Sequence, residues 1–336
     1  MGNDKKTRAT IYQVAKEANV SLATVSRVLN GKGNVSPETE RLVNDVIARL
    51  GYIPSGIARG LATQLTANVG IVLPSPNYVY INNIMAGMLD VCKIYGYSPS
   101  VFTYEGISDV ASAIDRVIAS RVEGIVVFNS QLNAEDVSKL TNFSLPIVII
   151  GEDSLHQHNA NVNIDYSTSL ARYITERVNQ GIRTIRFLRD PNKDWHMINR
   201  FQNAIESVVS TAAGVDFQSI DISDSYTVIY DYYKTQFQHT PPANELYILP
   251  RDSLAIAINN AALDLGYHIP EQLETVAIVG TKHARMARPQ VSTFEVDWYE
   301  VGSITMRMLT KMLQGTLSNK SYNFATTYVR RKSSKR

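Results

Sequence analysis

The sequence predicts an α/β protein in three parts. An N-terminal all-α helix-turn-helix head piece spans residues 1–52, a hinge helix or linker spans 53–66, and two doubly wound parallel-sheet lobes fill 67–336. Three observations carry this. Thr10–Asn30 holds two short amphipathic helical patterns separated by a turn residue. From Asn68 onward, short β-rich apolar runs alternate with helical stretches through two successive rounds. Tyr52–Thr63, between them, belongs to neither pattern: Gly56 and Gly60 weaken a helix that Ile57, Ala58, Leu61 and Ala62 would otherwise stripe, and the segment is too short to stand alone.

In the head piece, Ile11, Val14, Ala15 and Ala18 fall at the spacing of one buried stripe. Asn19 interrupts it, and Ser21 is the expected N-cap of a second helix with Val25, Val28 and Leu29 inward. The outward face of that helix carries Leu22, Ala23, Thr24, Ser26, Arg27 and Asn30. A short face with small donors and one arginine can enter a major groove, meeting base edges first and phosphates around them. The alternative is a generic two-helix hairpin with a polar surface. A third helix is expected from Pro37 to Leu50, with Ser36 as cap in a Ser-x-x-Thr variant of the capping box, Leu42, Val46, Ile47 and Leu50 buried, and a stop at Gly51. The hinge segment is expected to become helical only when covered, as by its symmetry mate in a minor groove.

The first round of the lobes reads as strand Asn68–Leu73, helix Ile81–Gly96, strand Ser98–Tyr104, helix Val110–Arg121, strand Gly124–Phe128, helix Ala134–Thr141 and strand Pro146–Ile150. The second reads as helix Ser167–Asn179, strand Thr184–Leu188, helix Asn199–Ser210, strand Asp216–Asp221, helix Ser225–Gln236 and strand Glu245–Leu249. Helix Asp252–Leu265, strand Thr275–Gly280 and helix Tyr299–Gln314 complete it. Continuous apolar strands between helices predict sheets covered on both faces, with a ligand cleft at the strands' carboxyl ends.

With 44% hydrophobic and 19% charged residues over 336 positions, the chain has ample core material. Net charge is only +2, yet the first 63 residues carry nine Lys and Arg against five Asp and Glu, an excess suited to phosphate contact. The Arg330–Arg336 run is expected to be a solvated, disordered basic tail. Cys92 is alone and is expected to be a buried small hydrophobe. No export-signal pattern or membrane-length apolar run occurs, so a cytoplasmic location without membrane partners is expected.

Nothing calls for catalysis. His156 and His158 lack a third ligand, Ser154 lacks a nucleophile-elbow context, and no phosphate-cradling Gly-rich loop with Lys-Ser/Thr is present. No metal, no cofactor and no enzymatic role are expected.

ATVSRVLNG, LGYIPSGIARGL and the strand-like VGIVLP together resemble the LacI/GalR family of bacterial repressors, across essentially the whole chain. The resemblance implies a periplasmic-binding-protein-like pair of lobes behind a DNA-binding head piece. It places Leu22, Ala23 and Arg27 at base-reading positions and Ser21, Thr24, Ser26 and Asn30 near phosphates, with Thr10, Tyr52 and Arg59 also in the DNA-contact set. Leu61 would be the hinge-helix leucine wedged into the central base step, with Ala58 beside it.

In the cleft, Arg200 matches the family arginine that pairs with sugar hydroxyls, but Asn203 stands where the family usually has glycine. Arg251-Asp252 stands in place of Asn-Asp, and Thr281-Lys282 in place of an aromatic and an aspartate. A carboxylate accepts two hydroxyls, whereas a cation only donates. Two expectations stay open: a phosphorylated sugar or carboxylate effector held by Arg200, Arg251 and Lys282, or a degenerate cleft in which Asp252 or Asp165 satisfies these cations.

The last helix places Arg307 and Lys311 one turn apart with Tyr299 and Ile304 nearby. By itself this is a solvated basic face over a core stripe of Ile304, Met308 and Leu309. The stretch nevertheless resembles the helix by which the catabolite control protein A subfamily recognises serine-phosphorylated HPr, at Tyr299, Gly302, Met306, Arg307, Leu309, Thr310 and Lys311. The resulting expectation is a homodimeric carbon-catabolite repressor that binds a pseudo-palindromic operator, with HPr-Ser-phosphate as corepressor. The alternatives are a local sugar-pathway repressor controlled through the cleft, and, in another class, a cytoplasmic sugar-binding receptor protein.

Overall fold

The computed structural model describes residues 9–30, 35–52, 66–74, 81–104, 107–128, 134–142, 145–151, 159–192 and 195–335. The chain divides into two compact units, Met1–Ala67 and Asn68–Arg336.

The first unit contains α1 (Ile11–Glu17), α2 (Leu22–Asn30) and α3 (Pro37–Leu50). Thr10 and Gln13 close a reciprocal capping box on α1. The chain leaves α1 through Asn19 at φ +50°, a left-handed position that asparagine tolerates, and Val20 N–H returns to the Ala15 carbonyl at 3.0 Å. Ser21 accepts from Thr24 N–H at 3.1 Å, and Ser36 from Thr39 N–H at 3.2 Å. Glycine is required where α3 stops, because Gly51 takes φ +60°. The three helices enclose Val14, Ala15, Ala18, Val25, Val43, Val46 and Tyr52. One expectation is corrected: Val43, fully buried, takes the core place given to Leu42, which is 47% exposed. Both registers suit a helical stripe, and the direction from which α1 and α2 approach selects Val43.

The second unit holds two six-stranded sheets. The first orders its strands β11-β5-β4-β3-β1-β2, all parallel, from β1 (Asn68–Pro74), β2 (Ser98–Tyr104), β3 (Gly124–Phe128), β4 (Ile147–Ile150), β5 (Ala160–Asp165) and β11 (Ser321–Ala325). The second orders β12-β10-β9-β8-β6-β7, from β6 (Thr184–Arg189), β7 (Asp216–Asp221), β8 (Glu245–Arg251), β9 (Leu273–Val279), β10 (Ser292–Glu295) and β12 (Thr327–Val329), with β12 alone antiparallel. The helices between them are α4 (Ile81–Tyr95), α5 (Ile107–Ala119), α6 (Ala134–Thr141), α7 (Ser167–Asn179), α8 (Trp195–Val209), α9 (Tyr226–His239), α10 (Asp252–Asp264), α11 (Lys282–Met286) and α12 (Trp298–Leu313). The strand orders put a switch point between β1 and β3 and another between β6 and β8, where α/β sheets bind ligands at carboxyl ends.

Every strand expected from the apolar runs is present. β5, β10, β11, β12 and the five-residue α11 were not legible. β5 alternates asparagine with apolar residues, and β11 buries only Phe324 of its five, so neither carries a continuous apolar run. β10 has four residues, three of them buried through contacts made elsewhere in the chain.

The tail is corrected too. Arg331, Ser333 and Ser334 are not solvated: Arg331 pairs with Glu295, and both serines are buried. Their hydroxyls fill hydrogen bonds that a basic composition does not reveal. Cys92 is buried as expected, and burial pushes its thiol up to about 11. Among the described residues, no helix is long and apolar enough to cross a membrane.

Candidate nucleic-acid interface and cleft

On α2, packing of Val25 against the three-helix core turns the opposite side outward. Ser21, Leu22, Ala23 and Arg27 are exposed, and Thr24 and Ser26 are half-buried. The Ser21 and Thr24 hydroxyls lie 2.9 Å apart, so one O–H is spent between them and the other stays available to a further acceptor. Thr10 is exposed at the start of α1, its hydroxyl engaged with Gln13. Tyr52 differs from these, being only 8% exposed and part of the core. The side chain of Asn30, and the whole of Ala58, Arg59 and Leu61 with the rest of the hinge, lie outside the described residues, as do Ser154, His156 and His158.

At the carboxyl ends of β8 and β9, Arg251, Asp252, Thr281 and Lys282 converge. Asp252 is 2% exposed, and one of its oxygens accepts from Thr281 N–H and Oγ1, both at 2.7 Å, and from Ala284 N–H at 3.0 Å. It ties the exit of β9 to the start of α10 and makes no salt bridge among the described residues. Arg251 is neutralised instead by Asp224, at 2.6 Å, which also offers its backbone carbonyl at 3.0 Å. Asp224 precedes α9 in a stretch that gave no ligand-like signal, so it was missed in the sequence.

Arg200, on α8, reaches across to the first sheet and donates to Asn163 Oδ1 at 3.3 Å and 3.4 Å. Asp165, two residues on, is within electrostatic reach. Burial alone would raise its carboxyl, but hydrogen bonds from Thr168, with the charge of Arg200, hold it below the usual aspartate range. Lys282 is exposed and has no salt bridge among the described residues. The four cleft residues are therefore unlike: one carboxylate buried in structural work, one arginine already paired, one spanning the lobes, and one lysine facing solvent.

On α12, Tyr299 is 45% exposed and donates to Asp90 Oδ2 on α4 at 2.8 Å. That hydrogen bond, with the Asp90 charge, raises the phenol above its ordinary range. Arg307 and Lys311 are exposed and Ile304 is half-buried, while Met308 and Leu309 lie in the core. Two cations and a held tyrosine thus share one face of the helix.

The chain matches the family described as bacterial regulatory proteins, lacI family, over residues 10–55, and a periplasmic binding protein-like domain over residues 174–334. It is 31% identical to catabolite control protein A of Staphylococcus epidermidis over 310 residues, covering 90% of this chain and 92% of that one, and 31% identical to its counterpart in Staphylococcus xylosus with the same coverage. Among solved structures, the Lac repressor dimer bound to operator and the anti-inducer ONPF superposes with a TM-score of 0.83 at 20% identity, over 97% of this chain and 99% of that one. The transcriptional regulator CelR in complex with cellobiose gives 0.67 at 20% identity, over 97% and 100%.

Proposed function

The chain belongs to the lacI family of bacterial regulatory proteins, DNA-binding transcriptional regulators, and we propose from this that it represses carbon-metabolism genes as a homodimer on a pseudo-palindromic operator. The observation that carries the reading is the exposed start of α2: Leu22 and Ala23 free for base edges, Arg27 a turn on, and the Ser21–Thr24 hydroxyl pair for phosphates. Two such head pieces, each joined through a hinge that orders on the duplex, read the half-sites while the paired hinges kink the centre. Exposed apolar side chains on both lobes support a dimer: Leu89, Ile94 and Tyr95 on α4 with Val101 on β2, and Tyr226 and Tyr232 on α9 with Leu263 on α10.

The corepressor in this reading is HPr-Ser-phosphate, received by Arg307 and Lys311 beside Tyr299. Charge-assisted hydrogen bonds to a phosphoserine suit two exposed cations a helical turn apart. Partner binding would bias the angle between the lobes and so the spacing of the hinges. Selection of bound DNA sequences with and without phosphorylated HPr tests all of this together. Symmetric half-sites whose enrichment depends on the phosphoprotein, and is lost in Arg307→Ala/Lys311→Ala, are expected. An asymmetric site or none would sink the operator reading.

A second reading, a local repressor controlled by a small anion in the cleft, is favoured by the exposed Lys282 and by Arg200, which already spans the two lobes. Pairing of Arg251 with Asp224 weakens it, since one of the three expected cations is occupied. Calorimetric titration with phosphosugars and neutral sugars separates the two. Heat from phosphosugars would favour the cleft, and none from either would leave the phosphoprotein as the input.

A further inference from the structure

The amino-terminal ends of β8, β9 and β10 lie at the opposite end of the second sheet from Arg251 and Lys282, and residues 330–335 are fastened across them. Ser333 is fully buried there. Its N–H donates to the Gln290 carbonyl and its carbonyl accepts from Thr275 N–H, both at 2.9 Å. Its hydroxyl donates to the Thr275 carbonyl at 2.6 Å and accepts from Ser292 N–H at 2.9 Å. Ser334 shares hydrogen bonds with Ser292 Oγ at 2.7 Å and the Tyr328 hydroxyl at 2.6 Å, and Lys335 N–H donates to Glu274 Oε2 at 2.8 Å. Arg331 is committed to Glu295, to the Val291 carbonyl and to Thr293 Oγ1.

The backbone of this basic run is therefore fixed, and the cations between the anchors are held rather than free to diffuse. Arg330 and Lys332 are exposed and have no carboxylate partner among the described residues. They border a groove of about 1020 Å³ whose walls also carry Arg288 and Lys335, with Glu271 the one carboxylate lining it among the described residues. The Arg288 guanidinium is steadied by the carbonyls of Met286 at 3.1 Å and Ala287 at 2.8 Å. Ile269, Pro270 and Pro289 supply an apolar side.

Cations that line one groove can be engaged together by a compact polyanion, which a neutral sugar or single carboxylate cannot match. Because the anchors have already fixed the backbone, less ordering entropy opposes binding. The concavity is of small-ligand size. We propose that this groove binds a small ligand carrying two or more linked phosphates, through Arg288, Arg330 and Lys332. The chemistry is shared by a nucleoside diphosphate or triphosphate and by free polyphosphate. The site is independent of the cleft and of the α12 face.

Isothermal titration of the full chain with inorganic triphosphate, ADP and AMP tests it. Triphosphate and ADP are expected to bind at least about tenfold more tightly than AMP, and to weaken by about tenfold or more in Arg330→Ala/Lys332→Ala. The melting temperature of that variant should match the parent's, because both side chains are exposed. Lys332→Glu should weaken binding further, and Lys282→Ala should leave it intact. ADP binding more tightly than triphosphate identifies a nucleotide as the source, and the reverse order identifies free polyphosphate. Absence of heat with triphosphate and ADP, parental affinity in the double variant, or loss of binding in Lys282→Ala would each overturn the proposal.

Discussion

Gly87 of α4 and Gly302 of α12 are packed so closely that neither position has room for a side chain. A Cβ on Gly87 would stand 2.0 Å from the Tyr299 carbonyl oxygen, and one on Gly302 would stand 2.0 Å from the Ile84 carbonyl oxygen. Backbone atoms, which cannot swing aside, are the obstruction in both cases. The two glycines bring the helices together, and with them Asp90 comes within hydrogen-bond reach of Tyr299.

Gly302→Ala is therefore expected to destabilise the second unit by about 3 kcal/mol, the upper range for overpacking against unyielding backbone. Chemical denaturation followed by tryptophan fluorescence measures it. Parental stability would mean that the helices part without cost.

Arg177 and Glu274 form a buried ion pair, with side-chain exposures of 6% and 1%. Removing one partner strands the other's charge away from water, which costs about 3–5 kcal/mol. Arg177→Met should show that loss in urea unfolding, whereas Arg183→Met, at an exposed arginine, should cost less than about 1 kcal/mol.

The head piece separates core from interface. Tyr52→Ala should lower its stability by about 3 kcal/mol and weaken DNA binding only as a consequence of unfolding. Arg27→Ala should leave the melting curve unchanged and weaken binding to a selected operator by about 1–3 kcal/mol. Operator titration alongside thermal melting distinguishes them, and a melting shift in Arg27→Ala would contradict the assignment.

Asp224→Asn should unmask Arg251. If the pairing with Asp224 is what keeps that arginine from an anion, affinity for a phosphosugar should rise by about tenfold, or about 1.4 kcal/mol. Unchanged affinity would remove Arg251 from the cleft's ligand-binding groups.

Glu295 predicts a pH dependence. Burial alone would raise its carboxyl, but the hydrogen bond from Arg331, with the charges of Arg331 and Arg285, holds it below the ordinary glutamate range. A depressed folded value means the stabilisation is complete above the unfolded glutamate value and is lost as pH falls through the folded one. Between about pH 6 and about pH 3 the parent should lose more stability than Glu295→Gln does. Parallel losses would show that the pair contributes nothing to acid sensitivity.

The sequence alone determined the elements whose signal is local. Continuous apolar runs such as Asn68–Leu73 and Gly124–Phe128 announced buried parallel strands, and Ser36, Pro37 and Gly51 marked both ends of α3. The helix pair around Asn19 was legible because its turn residue and caps are nearest neighbours of the helices they bound. Candidate positions on α2 and α12 could be named for the same reason, since one helical period fixes which residues share a face.

Whatever depends on partners distant in sequence was settled by the folded path of the chain. It chose Val43 over Leu42 for the core, and Asp224 rather than Asp252 as the counter-charge of Arg251. It turned Ser333 and Ser334 from members of a basic tail into buried anchors, through hydrogen bonds to residues some forty to sixty positions away. Apolar periodicity is written along the chain, because each residue's preference for water or core is its own. A hydrogen bond or ion pair belongs to two residues at once, and only the folded path brings the second one within reach.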